Sequence, residues 1–182
     1  MTKTHFGSGA MALALAFASL LLPGTAVAQE VDLDAFRSGP IFEEFGNHAP
    51  VEGVENFVPE TEFAIAFDVA KRADPGTRNR SFESAARFIN MHASLGVDPD
   101  NISIAVVVHG GAVKDLLASE DNASREMVER MLEEGVRFIV CGQSAAGQGI
   151  AQGDLIPGVE MALSAMTAHA LLQQRGYTVN PF

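Results

Sequence analysis

Apolar residues along the chain fall into short dense blocks separated by polar, glycine-rich and proline-rich stretches, and the blocks alternate between two periods. FAIAFDVA, from Phe63 to Ala70, is bounded by Pro59 and by Asp74-Pro75-Gly76; a short apolar run with such punctuation predicts a mostly buried strand. In SFESAARFINMHASLG the residues Phe82, Ala85, Ala86, Ile89 and Leu95 fall near helical spacing, with Asn79 or Ser81 as cap and Gly96 as stop. Ile102 to Val108 is rich in β-branched residues and ends at His109-Gly110-Gly111, which predicts a second buried strand. Val113 to Ala118 gives one or two helical turns, and Ser124 to Glu134 a fuller helix closed by Gly135. Val136 to Val140 reads as a third strand, with the Cys141 region opening the next helix. Beyond Asp154 to Gly158, VEMALSA gives a fourth strand, MTAHALLQQRG a helix ending at Gly176, and Tyr177 to Val179 a last short strand. Strands that are apolar almost throughout and alternate with helices belong to a parallel sheet covered on both faces. The expected class is α/β, a single domain with a mostly parallel sheet of about five strands flanked by helices.

The chain before the first strand has a different grammar. Lys3 precedes an apolar run from Met11 to Leu22, followed by Pro23-Gly24 and the small-residue site Ala26-Val27-Ala28. This pattern predicts a secretory signal peptide over residues 1–28, because the run is far shorter than the ~20 residues that span a bilayer. The mature chain then starts near Gln29, is periplasmic or secreted, and inserts no segment into a membrane. Residues 29–60 mix acids, Pro and Gly with scattered apolar residues and read as an N-terminal arm, with a short helix near Asp32 to Arg37. Phe36, Phe42, Phe45 and Phe57 argue against disorder there and are candidate anchors. Residues 61–182 form the α/β domain.

Charge narrows the partners. Against 12 Lys and Arg the chain carries 23 Asp and Glu, a formal net charge of −11, which opposes phosphate backbones and excludes nucleic acid as a partner. An exported domain commonly gathers disulfides, but Cys141 is the single cysteine and cannot form an internal bridge. His48, His92, His109, His169 and Cys141 show none of the short spacings that bring metal ligands together, so neither a metal nor an organic cofactor is expected. Gly142, Gly147 and Gly149 match no phosphate-binding pattern.

In open α/β sheets function collects beyond the carboxyl ends of the strands. Cys141 stands there after the third strand, followed by Gly142-Gln143-Ser144, and His109 stands there after the second, followed by Gly110. A thiol at a helix N-terminus meets unpaired N–H groups that favour its anion, which makes it a competent nucleophile. A thiol at a strand end also serves as a small buried hydrophobe, and a strand-end imidazole also serves as a loop anchor. If the two strands are neighbours, Cys141 and His109 share one opening and form a nucleophile with its proton partner. Gly110, Gly142, Gln143 and Ser144 are then the candidate ligand-binding residues around them.

The segments "IAVVVHGGAVKDLL", "EEGVRFIVCGQSAAGQGI", "DLIPGVE" and "LLQQRGYTVNP" resemble the DsrE/DsrF-like (YchN-like) family of small sulfur-relay proteins over most of residues 62–181. The resemblance implies a compact α/β unit in a homo- or hetero-oligomer, often built on trimers, with Cys141 as the counterpart of the persulfide-bearing cysteine; a homo-oligomer is the expectation for this chain. Together with the signal peptide, the resemblance implies a periplasmic sulfur carrier or sulfurtransferase-like protein that exchanges sulfane sulfur with a donor and an acceptor, each a protein or a small molecule. The alternative is a non-catalytic oligomeric binding protein whose cysteine is structural.

Overall fold

A computed structural model describes residues 32–180; the expected signal peptide, residues 1–28, lies outside the described residues. Five strands form one sheet: β1 (Phe63–Val69), β2 (Ile102–Val108), β3 (Arg137–Cys141), β4 (Glu160–Ala162) and β5 (Thr178–Asn180). All neighbours pair in parallel, in the order β4-β3-β2-β1-β5. Four helices connect them: α1 (Arg80–Ser94), α2 (Arg125–Glu133), α3 (Gly142–Gly147) and α4 (Ala165–Gln174). The chain is thus the α/β domain that the alternation of periods leads one to expect.

Local chemistry sets the ends of these elements. The Asn79 side chain caps α1 by accepting the Ser81 N–H at 2.9 Å, and the helix stops where Gly96 takes a φ of +101°, a conformation that costs glycine little. Ser164 ends the β4 segment and caps α4, its hydroxyl accepting the Thr167 N–H at 3.1 Å. The helical turns at Val113 to Ala118 are 3-10 geometry over Gly110–Leu116, and the short helix near Asp32 is one 3-10 turn, Leu33–Ala35. VEMALSA yields only the three residues of β4, an edge strand that pairs with β3 alone.

Strand alternation sorts the side chains onto two faces. Phe67, Val69, Ile104, Val106, Val108, Phe138 and Val140 pack with α1 and α2 in the larger core cluster. Ala66, Ala105, Val107 and Ile139 face the other way, against Ala168 and Leu172 of α4. Each fully buried Phe, Ile or Val contributes roughly 1.5–3 kcal/mol, and coverage of both faces is why the strand sequences are nearly unbroken apolar runs. The order also constrains α4. It joins β4 at one edge to β5 at the other, so it must cross the sheet, and it packs on β3 and β2 as it does so.

The arm is pinned to α1. Arg37 and His48 exchange main-chain hydrogen bonds at 3.0 Å, closing a loop. The Asn90 side chain of α1 accepts from the N–H groups of Ile41 and Phe42 and donates to the carbonyls of Phe42, Phe45 and Gly46. Gly39 lies so close to the Asn90 amide that a Cβ there would stand 1.8 Å from it. Of the four candidate anchors, Phe42 and Phe45 are buried and stack at 5.0 Å, whereas Phe36 and Phe57 stay partly exposed.

Candidate functional site

Register brings the sequence candidates together. Val69 pairs with Val108 and Val108 with Val140, so one residue further on His109 and Cys141 stand at neighbouring strand ends. Both have the parity of Ala105, Val107 and Ile139 and therefore face the α4 side. Asp68 of β1 has the same parity. Three chemically competent side chains thus line one face at the carboxyl ends of three adjacent strands, where such sheets carry their sites.

Cys141 ends β3 and is the cap residue of α3. Its side chain makes no formal capping hydrogen bond, yet it sits among donors. Burial pushes the thiol up, but the Ser144 hydroxyl and the backbone N–H groups of Ser144, Ala165 and Gln143 outweigh burial and hold it below the ordinary thiol value. Ala165 is the first residue of α4, so the starts of two helices converge on the sulfur, and each favours an anion. The residue is 6% exposed, a narrow aperture.

The flanking residues hold this arrangement in place. Ser144 Oγ accepts the Gly110 N–H at 3.1 Å, which leaves its own proton free to point at the sulfur. Gln148 donates to the carbonyls of Gly110 and Ser144 at 2.9 and 3.0 Å, tying the loop after β2 to the helix after β3. Gly142 passes so near the β4–α4 connection that a Cβ would lie 2.7 Å from the Ala162 carbonyl oxygen; only glycine lets the backbone come that close. The Gln143 amide donates to the Leu163 carbonyl at 3.4 Å. Of the four candidate ligand-binding residues, Ser144 addresses the thiol with both hydroxyl and N–H, Gln143 with its N–H, and Gly110 and Gly142 act on the backbone.

His109 does not turn to the thiol for its hydrogen bond. Its Nε2 lies 3.3 Å from Asp68 Oδ2, and His169 Nε2 of α4 lies 2.8 Å from Asp68 Oδ1. Burial pushes the Asp68 carboxyl up, but the hydrogen bonds from His169 and His109, and their charge, outweigh it and hold Asp68 below the usual carboxylate range. An ionised carboxylate only accepts, so the Nε2 of each imidazole carries the proton. His169 Nδ1 is buried without a partner among the described residues.

Sequence reasoning missed Asp68 and weighed His169 only as a metal ligand. The signal for Asp68 was its charge inside FAIAFDVA, at a position of the same parity as Ala64 and Ala66. His169 had no such signal, because its place depends on α4 crossing the sheet. Ala165 and His169 are four residues apart and so share a helix face; one element presents an N–H to the thiol and an imidazole to Asp68. Among the described residues no group of three or more His, Cys, Asp or Glu side chains is arranged to hold a metal ion.

Comparison with known proteins adds family and fold. Residues 62–181 match the model of the DsrE/DsrF-like family. Among solved structures, the chain is similar to MTH1491, a protein of unknown function from Methanobacterium thermoautotrophicum, with 22% identity and a TM-score of 0.51, covering 66% of this chain and 100% of that one. It is also similar to the ychN protein from E. coli, with 22% identity and a TM-score of 0.48 over the same shares. The first of these likenesses shows a shared fold. Among curated proteins none matches.

Proposed function

The chain belongs to the DsrE/DsrF-like family, and from that membership and the surroundings of its thiol we propose that it is a sulfur carrier, holding sulfane sulfur as a persulfide on Cys141. The observation that carries the proposal is the convergence of N–H and O–H donors on Cys141, which lowers the thiol and stabilises whichever sulfur anion stands there. In the loading step the Cys141 thiolate attacks the outer sulfur of a donor persulfide. A new S–S bond forms on Cys141, the donor's S–S bond breaks, and the donor leaves as a thiolate. In the unloading step an acceptor thiolate attacks the outer sulfur of Cys141, takes it as its own persulfide, and returns the Cys141 thiolate. Both steps are exchanges at divalent sulfur with no net oxidation. Asp68, with its two histidine partners, lies on the same face, and His109 stands at the strand end beside Cys141. In this proposal the protein is delivered by residues 1–28 to the periplasm or exterior, works as a homo-oligomer, and meets a donor and an acceptor there.

Intact-mass measurement after incubation with polysulfide tests the reading. Wild type should gain one or more sulfur atoms that dithiothreitol removes, and Cys141→Ser should gain none. A wild type of unchanged mass, or an adduct that persists in Cys141→Ser, overturns it.

The 6% exposure of Cys141 favours a second reading, a non-catalytic oligomeric binding protein with a structural cysteine. Iodoacetamide separates the two: a carrier thiol is alkylated in the folded protein near neutral pH, and a structural one is labelled only after denaturation.

A further inference from the structure

The arm builds a second cavity, away from the thiol. Between Arg37 and Phe57 the chain leaves α1 and returns to it, tied at one end by the Arg37–His48 bridge and at the other by the Phe57 N–H, which donates to the Leu95 carbonyl at 3.1 Å. The loop and the C-terminal end of α1 enclose a cleft of about 610 Å³, within the roughly 300–1,000 Å³ typical of small-molecule sites. Its walls are mainly apolar, with Pro40, Pro50, Val54 and Phe57 from the arm, Met91 from α1 and Leu95 just past its end. Val54 and Phe57 are 48% and 37% exposed, apolar surface left open to water. The family match begins at residue 62, so most of this wall lies outside the part of the chain that the family shares.

One end of the cleft is polar and incomplete. His48 is 5% exposed, yet its Nδ1 has no hydrogen-bond partner among the described residues; a buried polar atom without a partner is rare and calls for one. Arg37 lies beside it across the bridge, also lines the cleft, and has no side-chain hydrogen bond or ion pair among the described residues. Arg87 stands nearby, donating to the Asn47 carbonyl at 2.6 Å. Burial first, then the charges of Arg37 and Arg87, push His48 down and keep it neutral. A chain with a net charge of −11 therefore has a locally cationic corner at the head of an apolar cleft.

We propose that this cleft binds a small amphipathic carboxylate, its head held by Arg37 and His48 and its chain or ring lying along Pro40, Val54, Phe57 and Met91. The planar guanidinium forks onto a carboxylate, and the His48 imidazole, which lines the same cleft, supplies the neighbouring donor. The apolar body covers the exposed arm residues.

Calorimetric titration of the full chain with decanoate, decanol and decylammonium tests the site. Decanoate should bind saturably at one per chain and more tightly than the other two, and should shift the His48 ring resonances. Arg37→Ala should weaken it by about 10-fold or more, as expected for a lost charge-assisted pair. The Arg37–His48 bridge is main-chain, so that variant keeps the loop closed; His48→Gln with an unchanged melting temperature provides the second test. No saturation up to about 1 mM decanoate, equal affinity for decanol, or wild-type affinity in Arg37→Ala would overturn the proposal.

Discussion

Two polar clusters inside this molecule are built on opposite principles. Asn90 is fully buried and meets both N–H groups and carbonyls of the arm, so that its hydrogen-bonding capacity is used up. Asp68 is held by two histidines, but its side chain is 38% exposed and His169 Nδ1 is left without a partner. A saturated buried amide has one use, to fix the chain that surrounds it. The partly open Asp68 cluster, at the strand ends beside the thiol, keeps hydrogen-bonding capacity that the fold does not use. Hydrogen-bond satisfaction, more than burial, is what distinguishes the two clusters.

The largest effect is expected at Asn90. Asn90→Ala strips partners from five main-chain groups of the arm, each costing about 1–3 kcal/mol if it stays buried. The arm will not stay; it will lift into water, so the loss is limited to what its docking contributes. A destabilisation of about 3 kcal/mol in urea unfolding is expected, with early proteolysis between residues 37 and 48. Sulfur loading on Cys141 should persist, because the thiol's donors all lie in the sheet domain. Equal loss of loading would mean that the two regions are one unit.

How far the sequence carries the reader differs between these regions. β1, β2 and β3 are legible because parallel strands buried on both faces need unbroken apolar runs, and the placement of Cys141 and His109 at the ends of β3 and β2 is legible because each follows such a run. The Asn90 hub is not legible. A single Asn on the buried side of an amphipathic helix has no local mark, and its partners lie more than forty residues away. Ala165 and His169 are hidden for the same reason: strand order, which no local pattern in the sequence states, is what sends α4 across the sheet. The phenylalanines of the arm show the limit of composition: Phe42 and Phe45 are buried, whereas Phe57 packs edge-on against Phe63 of β1 and Phe36 lies under Arg87 of α1 while both stay partly exposed.

A smaller effect sharpens the chemical side. Ser144→Ala removes the hydroxyl aimed at Cys141 and the acceptor of the Gly110 N–H. The thiol should rise toward its ordinary value, and iodoacetamide alkylation at neutral pH should slow severalfold, while the fold loses only about 1 kcal/mol for one hydrogen bond. Ser144→Thr, which keeps the hydroxyl, should restore the rate. An alkylation profile unchanged in Ser144→Ala would mean that the backbone donors of the two helices suffice.

The smallest effect lies at Asp68 and appears in pH dependence. Its folded-state value is depressed, so the unfolded chain binds the proton more readily and stability rises with pH across the interval. The contribution is complete above 3.8, the ordinary value for this group, and is lost as pH falls from there through the lower folded value. Solvent screening at this partly exposed carboxylate keeps the gain modest. Urea midpoints measured from neutral pH down into this interval should fall more steeply for wild type than for Asp68→Asn, with the two curves converging at the acid end. At neutral pH Asp68→Asn should cost far less than Asn90→Ala. If it costs as much, Asp68 is a structural hub after all, and the distinction drawn from hydrogen-bond satisfaction fails for this protein.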